Sequence, residues 1–204
     1  MRQLRCRDLK GGDVMLKVNS GALLARIISF AQSLVGQANP QIVHAGLMFD
    51  HRFIIEAQGA GLISNDLMVG DLPYGYLVYR ATRESLAEGI GTCAKLMFDI
   101  QGQQRTLKYN FRGLPGAVFS PRGRPRTAAG MDQLLDDILS GRGHPFFCSQ
   151  FVIFVIQFVA EQNGISASQI FDGNDARISP SRLASLLQAN RWFQEVGYLL
   201  PYER

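Results

Sequence analysis

The chain has 204 residues, of which 47% are hydrophobic and 19% are charged. That length and composition suit one globular domain with a well-buried core, and they exclude a disordered chain. The formal net charge of +4 is modest and no nucleic-acid-binding motif accompanies it, so nucleic acid is not an expected partner.

The cysteines Cys6, Cys93 and Cys148 are far apart in the sequence, and their number is odd. Neither a CxxC pair nor a zinc-like spacing of cysteine with histidine occurs. We therefore expect no disulfide framework, no metal site and no cofactor, and a reducing compartment is the simplest environment.

The first residues contain no apolar signal-peptide segment, and the longest apolar run, 146–160, is too short to span a bilayer. We expect no transmembrane segment. The expected location is the cytoplasm, or outside it after export without a signal peptide, as for a secreted effector.

The first predicted elements are a strand over 13–18 and an amphipathic helix over 22–35. Two strands over 42–49 and 53–57, separated by a three-residue polar turn, predict a hairpin. The later predicted elements are strands near 61–64 and 76–80, helices over 84–100, 131–139, 148–159 and 179–188, and a closing strand over 192–200.

Residues 101–128 are rich in Gly, Pro and Arg, and this composition predicts a long loop within a variable insertion over about 101–145. The elements together predict a single α+β domain over 1–204. Helices would flank a small, mostly antiparallel sheet, with the Cys148 helix buried at the centre.

Cys148 is the first candidate functional residue. The run 151–159 is apolar on nearly every helical face, which is typical of a helix buried all round. Pro145 favours a helix start close to Cys148, where the positive end of the helix dipole would favour a reactive thiolate. The alternative is that Cys148 is one more small core residue.

A nucleophilic cysteine needs a base, and His44 is the best placed of the three histidines. If residues 50–52 form the turn, Gly46 lies opposite Glu56, and His44 and Glu56 become diagonal neighbours on one face. Two polar residues in apolar strands are costly unless they satisfy each other. A purely structural pair explains the spacing equally well.

The other two histidines are weaker candidates. His51 falls in the predicted turn, where a side chain is expected to be solvated. His144 precedes Cys148 by four residues, but Pro145 separates it from the helix, so it stays a rival base without a shared helical face.

Four motifs in this order resemble the permuted papain-like cysteine hydrolases, circularly permuted relatives of the NlpC-type cell-wall peptidases that include YiiX-like bacterial proteins. They are the Gly-Asp strand at 12–16, His44-Ala-Gly followed by Glu56, Cys148-Ser before an apolar helix, and Ser179-Pro-x-x-Leu183. Each motif is short, and it is their order and spacing across most of the chain that make the set specific.

The resemblance implies a papain-like fold with Cys148 as nucleophile, His44 as base and Glu56 as the third polar residue. It implies a hydrolase that cleaves an amide, in a peptide or a peptidoglycan stem, through a thioester. A lipid amide or ester hydrolase, or an acyltransferase, of the same fold is the first alternative.

A different class of function is a non-catalytic module that binds a partner through the Arg-rich loop. Arg122, Arg124 and Arg126 could meet an anionic surface. Retention of Cys148, His44 and Glu56 together argues against the loss of catalysis.

Overall fold

The computed structural model describes residues 2–18, 42–58, 61–69, 75–104, 126–139, 147–173, 175 and 178–200. The described strands are β1 (Gln3–Leu4), β2 (Val14–Val18), β3 (Ile42–Met48), β4 (Phe53–Gln58), β5 (Gly61–Asp66), β6 (Gly75–Ala81) and β7 (Phe193–Leu199). The described helices are α1 (Glu84–Gln104), α2 (Ala128–Leu139), α3 (Cys148–Gln162), α4 (Ala167–Ile170) and α5 (Pro180–Gln188).

The seven strands form one sheet in the order β1-β7-β6-β2-β3-β4-β5. Every neighbouring pair is antiparallel except β1 and β7. The predicted α+β class and the mostly antiparallel sheet are therefore confirmed. The sheet also takes in the start of the chain, because β2 lies at its centre between β6 and β3.

Two helix boundaries differ from the predicted loop over 101–128. α1 continues through Gln104, and α2 begins at Ala128. Three of the four residues at 101–104 are glutamines, and glutamine sustains a helix well. Three predicted features lie outside the described residues: residues 105–125 of that loop, the helix over 22–35 and the His144-Pro145 pair.

α3 is the central buried helix that its apolar sequence predicts. Twelve of its 15 residues are buried, and the helix contacts β3, β4, α1 and α5. A helix that is apolar all round can be covered only when other elements lie on several sides of it. The N-terminus of α3, which carries Cys148, is thereby fixed relative to the strands of the sheet.

Candidate active site

Cys148 is the first residue of α3. It follows Phe147, whose backbone is extended at φ −101° and ψ 165°, and no side-chain hydrogen bond caps the helix in the described structure. The first main-chain bond of the helix runs from the Phe151 N–H to the Phe147 carbonyl. The amides at 148–150 precede that bond, so they can act as donors at the end of the helix that carries Cys148. The Cys148 side chain is only 1% exposed.

His44 lies on β3, directly opposite Lys17 of β2. Its side chain is 16% exposed. Cys148 lies close enough to the ring to act on it, since its side chain is one of the groups that raise the pKa of His44. The structure therefore brings together two residues that are 104 positions apart, from the start of β3 and the start of α3.

The β3–β4 hairpin brings Glu56 to the same face. Phe49 N–H donates to the Phe53 carbonyl, and the two rings stack with their centroids 5.5 Å apart. The register then places Gly46 opposite Glu56, as predicted from the turn length. A β-carbon on Gly46 would lie 2.8 Å from Glu56 Cγ, so glycine makes the room that the Glu56 side chain occupies.

Glu56 is 1% exposed and its two oxygens have three side-chain partners, one of which is Gln58, whose Nε2 donates to Oε2 at 3.4 Å. Oε1 lies 3.3 Å from His44 Nε2, and Oε2 accepts a hydrogen bond of 2.7 Å from Asn65 Nδ2. Neither Nε2 nor Oε1 has an aligned hydrogen-bond partner within the described ranges. The His44–Glu56 contact is therefore an ion pair held by proximity, with Nε2 turned to Glu56.

The electrostatics of the site favour a charged His44 ring. Burial is the largest influence and by itself lowers the pKa of His44, because a buried charge loses its hydration. Hydrogen bonds and charge from Cys148 and Glu56 together outweigh burial and raise the pKa of His44 to about 9. A charged imidazolium is thus the form of His44 that this arrangement stabilises at neutral pH.

Glu56 behaves as the matching anion. Burial pushes its pKa upward, but the His44 ring, the Lys17 ammonium and the Asn65 amide overcome that effect and hold the pKa of Glu56 below its usual value. Lys17 reaches this position because it lies opposite His44 in the β2–β3 pair. The buried carboxylate is therefore ionised at neutral pH.

The Ser-Pro helix start fixes the strand that carries His44. Ser179 caps α5, accepting a hydrogen bond from the Arg182 amide. Ser181 Oγ donates to the Ile42 carbonyl at 3.3 Å, two residues before His44. The motif near the end of the chain thereby holds the start of β3.

Two other candidates, His51 and Cys93, lie apart from this group. His51 is exposed at the hairpin turn, as predicted, and His144 lies outside the described residues. Cys93 is half-buried against the core, and burial raises its pKa to about 12. Desolvation is the only influence that shifts the pKa of the Cys93 thiol.

The Arg-rich loop was a candidate anionic-surface site. Arg122 and Arg124 lie outside the described residues, and Arg126 pairs with the buried carboxylate of Asp175, Nε to Oδ1, at 2.8 Å. Arg126 is therefore engaged inside the domain rather than offered to a surface.

A surface cavity of about 890 Å³ lies elsewhere, between α1 and the far ends of β3 and β6. Phe49 lines it, and Phe49 follows the last residue of β3, five residues after His44, which is about 17 Å at strand geometry. Its charged residues include Arg80 and Lys95, which pair with Asp13 and Asp99. Its lining residues include no cysteine and no histidine, so we place the candidate active site at Cys148.

The described residues contain no cluster of three or more His, Cys, Asp or Glu side chains that could bind a metal ion. In the same residues, no helix has the length and hydrophobicity needed to cross a membrane. No protein-family model matches the chain. A search of curated proteins finds no significant match.

Sequence reasoning missed Asn65, which fixes Glu56. The predicted strand stopped at 64, whereas β5 continues to Asp66 and pairs Asn65 with Ile54. The alternation of side chains along a strand could have found it, because residues 63 and 65 share a face and residue 63 pairs with Glu56.

Proposed function

We propose that the protein is a cysteine hydrolase of the permuted papain-like type, which cleaves an amide through a thioester on Cys148. The observation that carries the proposal is that His44 lies 3.3 Å from Glu56 and close enough to Cys148, at the start of α3, for both residues to raise the pKa of its ring. Nucleophile, base and orienting carboxylate in that order are the arrangement that nucleophilic catalysis requires.

The first half of the reaction uses the ion pair directly. The Cys148 thiolate attacks the carbonyl carbon of the amide, and the C=O π electrons move onto oxygen to give a tetrahedral oxyanion. The Cys148 backbone N–H at the helix N-terminus can donate to that oxygen. Collapse of the intermediate breaks the C–N bond, and the departing nitrogen takes the proton from the His44 imidazolium, leaving an acyl thioester and a neutral ring.

The second half restores the enzyme. Neutral His44 takes a proton from water as its oxygen attacks the thioester carbonyl, and a second oxyanion forms at the same backbone donor. Collapse expels the Cys148 thiolate and releases the carboxylic acid, while His44 keeps the proton. Glu56 stabilises the charged ring throughout and keeps Nε2 turned away from the thiol.

The leading substrate class is a peptide or a peptidoglycan stem amide, and a lipid amide or ester is the alternative. Transfer of the acyl group to an alcohol or amine would replace water in the second half and use the same residues. A peptidoglycan substrate would imply work outside the cytoplasm. A soluble acyl amide would imply cytoplasmic work.

An activity screen tests the proposal. Purified protein is incubated with peptidoglycan fragments, peptides, fatty amides and acyl thioesters, and free amine, thiol and carboxylate products are measured. We expect turnover of at least one class and a loss of about 10³-fold or more in Cys148→Ala. The matched control is Cys93→Ala, which should keep wild-type turnover because burial holds that thiol protonated. Equal turnover by Cys148→Ala and the wild type would refute a cysteine nucleophile.

The competing proposal is a binding module that keeps the fold without catalysis. It predicts no turnover of any class and binding of an anionic surface through Arg122, Arg124 and Arg126. Sedimentation with vesicles containing anionic lipid, compared with neutral vesicles, measures that binding directly. The pairing of Arg126 with Asp175 favours the hydrolase, because it leaves Arg126 less able to contact such a surface.

A further inference from the structure

A second buried polar group lies beside the first turn of α3, and the proposed mechanism does not use it. Its centre is Asp175, which is fully buried. Asp175 Oδ1 lies 2.8 Å from Arg126 Nε, and Oδ2 accepts a hydrogen bond of 3.2 Å from Gln150 Nε2. One carboxylate thus joins an arginine 49 residues before it to a glutamine of the nucleophile helix.

Gln150 is two residues after Cys148 in the first turn of α3. Its side chain is buried, and its Oε1 has no hydrogen-bond partner within the described ranges. Asp175 is therefore its one described anchor. If that anchor moves, the buried amide has two unsatisfied polar atoms, which is costly enough to shift the side chain and the turn that carries it.

The adjacent residue is tied to the same connection. Ser149 Oγ donates a hydrogen bond of 2.6 Å to the Ile178 carbonyl. The first main-chain bond of the helix is Phe151 N–H to the Phe147 carbonyl, so the amides at 148–150 have no such bond. The position of the first turn therefore depends on these side-chain anchors.

Arg126 makes the Asp175 anchor possible. A fully buried carboxylate is stable as an anion only beside a compensating charge, and Arg126 supplies it through Nε. Without Arg126, Asp175 would lack its charge partner and would move toward water, which would weaken its hold on Gln150.

We infer that Arg126, acting through Asp175 and Gln150, positions the first turn of α3 so that Cys148 faces the His44 ring. Arg126 and Asp175 are positioning residues, since they act through Gln150 and not on the substrate. The inference rests on the proposed function and deepens it, because it identifies what aligns the nucleophile.

The experiment measures Cys148 itself rather than product formation. Iodoacetamide alkylation of Cys148 is followed by peptide mass mapping across pH 5–10, which separates it from Cys6 and Cys93. Hydrogen exchange of the peptide over 147–152 is measured in parallel. The variants are Arg126→Gln, which removes the charge, Arg126→Lys, which restores a cation, and Gln150→Met, which removes the amide without removing the buried ion pair.

The matched control is Arg80→Gln. Arg80 pairs with Asp13, another fully buried carboxylate, with its Nε 2.6 Å from Oδ1, at the end of β2 away from His44. Loss of this pair should lower the melting temperature in the same way as loss of the Arg126 pair. It should not reach the first turn of α3.

We expect Arg126→Gln and Gln150→Met to slow alkylation of Cys148 at pH 7 by about tenfold or more, the size of effect expected when a residue that orients a site residue is lost. Their pH profiles should move to higher pH, and exchange at 147–152 should accelerate. Arg126→Lys should recover part of the rate, and Arg80→Gln should stay within about twofold of the wild type.

The inference is overturned if Arg126→Gln and Gln150→Met alkylate at the wild-type rate and pH profile. It is also overturned if Arg80→Gln slows alkylation as much as they do, since the effect would then be general destabilisation. Failure of the wild type to cleave any substrate would count against the proposed function alone, because alkylation and hydrogen exchange require no substrate.

Discussion

Replacing Glu56 by glutamine tests whether the buried carboxylate works on His44. Glutamine has nearly the same shape and can keep an oxygen toward Asn65, whose Nδ2 donates to Glu56 Oε2. Its amide nitrogen then faces His44 Nε2 as a donor, so Nε2 must accept. The ring is driven into the neutral tautomer that carries its proton on Nδ1, and the imidazolium is lost.

The magnitude follows from the distance. Unit charges 3.3 Å apart attract by about 5 kcal/mol at an effective dielectric constant of about 20. Part of that attraction offsets the desolvation of two buried groups, which leaves about 2 to 3 kcal/mol as the net effect on the charged ring. This corresponds to a fall of roughly 30- to 150-fold in kcat/KM.

The assay is kcat/KM against pH on the substrate found by the screen. In the wild type, the alkaline limb should fall near the His44 pKa of about 9, because the departing amine needs the imidazolium proton. In Glu56→Gln that limb should move to lower pH. Glu88→Gln, an exposed carboxylate on α1, is the matched control and should change neither quantity. An unchanged rate and an unchanged limb in Glu56→Gln would refute the reasoning.

Three further predictions follow from the same contacts. Gly46→Ala would place a β-carbon 2.8 Å from Glu56 Cγ, so we expect the free energy of unfolding, measured by thermal unfolding, to fall by about 1 to 3 kcal/mol and the activity to fall with it. Gly130→Ala, where the nearest atom is 3.3 Å away, is the control, and equal stability of the two variants would contradict the packing argument. Asn65→Leu removes the 2.7 Å bond to Glu56, so urea unfolding should show a loss of about 1 to 3 kcal/mol, and a neutral result would mean that water replaces the amide. Because the pKa of His44 is raised from 6.5 to about 9, its contribution to stability is complete below about pH 6.5 and is lost as pH rises through about 9. The difference in unfolding free energy between the wild type and His44→Gln should therefore shrink over that pH window. A difference that stays constant would exclude a charged ring.

The core of the site could be predicted because local rules determine it. The continuous apolar character of 151–159 requires a buried helix, and the structure begins that helix at Cys148. A three-residue turn at 50–52 fixes Phe49 against Phe53, and counting along the ladder then pairs Gly46 with Glu56. Side-chain alternation along two short strands is enough to bring His44 and Glu56 to one face.

The surroundings of the site could not be predicted in this way. Arg126, Gln150 and Asp175 meet through tertiary packing, and no periodicity relates residues that lie 25 and 49 positions apart. Asn65 falls beyond the apolar part of its strand. It stays in the sheet through its pairing with Ile54, and not through the β-propensity of asparagine, so the sequence pattern does not reveal it. Sequence patterns thus predict what is buried, whereas the partners of the buried polar groups depend on the assembled fold.

The most direct test of the central claim compares the thiols of Cys148 and Cys93 within one molecule. Iodoacetamide alkylation of each is measured from pH 5 to 10 in the wild type and in His44→Gln. The His44 contact predicts fast alkylation of Cys148 at neutral pH, far ahead of Cys93, and a loss of that advantage in His44→Gln. Slow alkylation of Cys148 that rises only with base, and that His44→Gln leaves unchanged, would contradict a thiolate paired with His44.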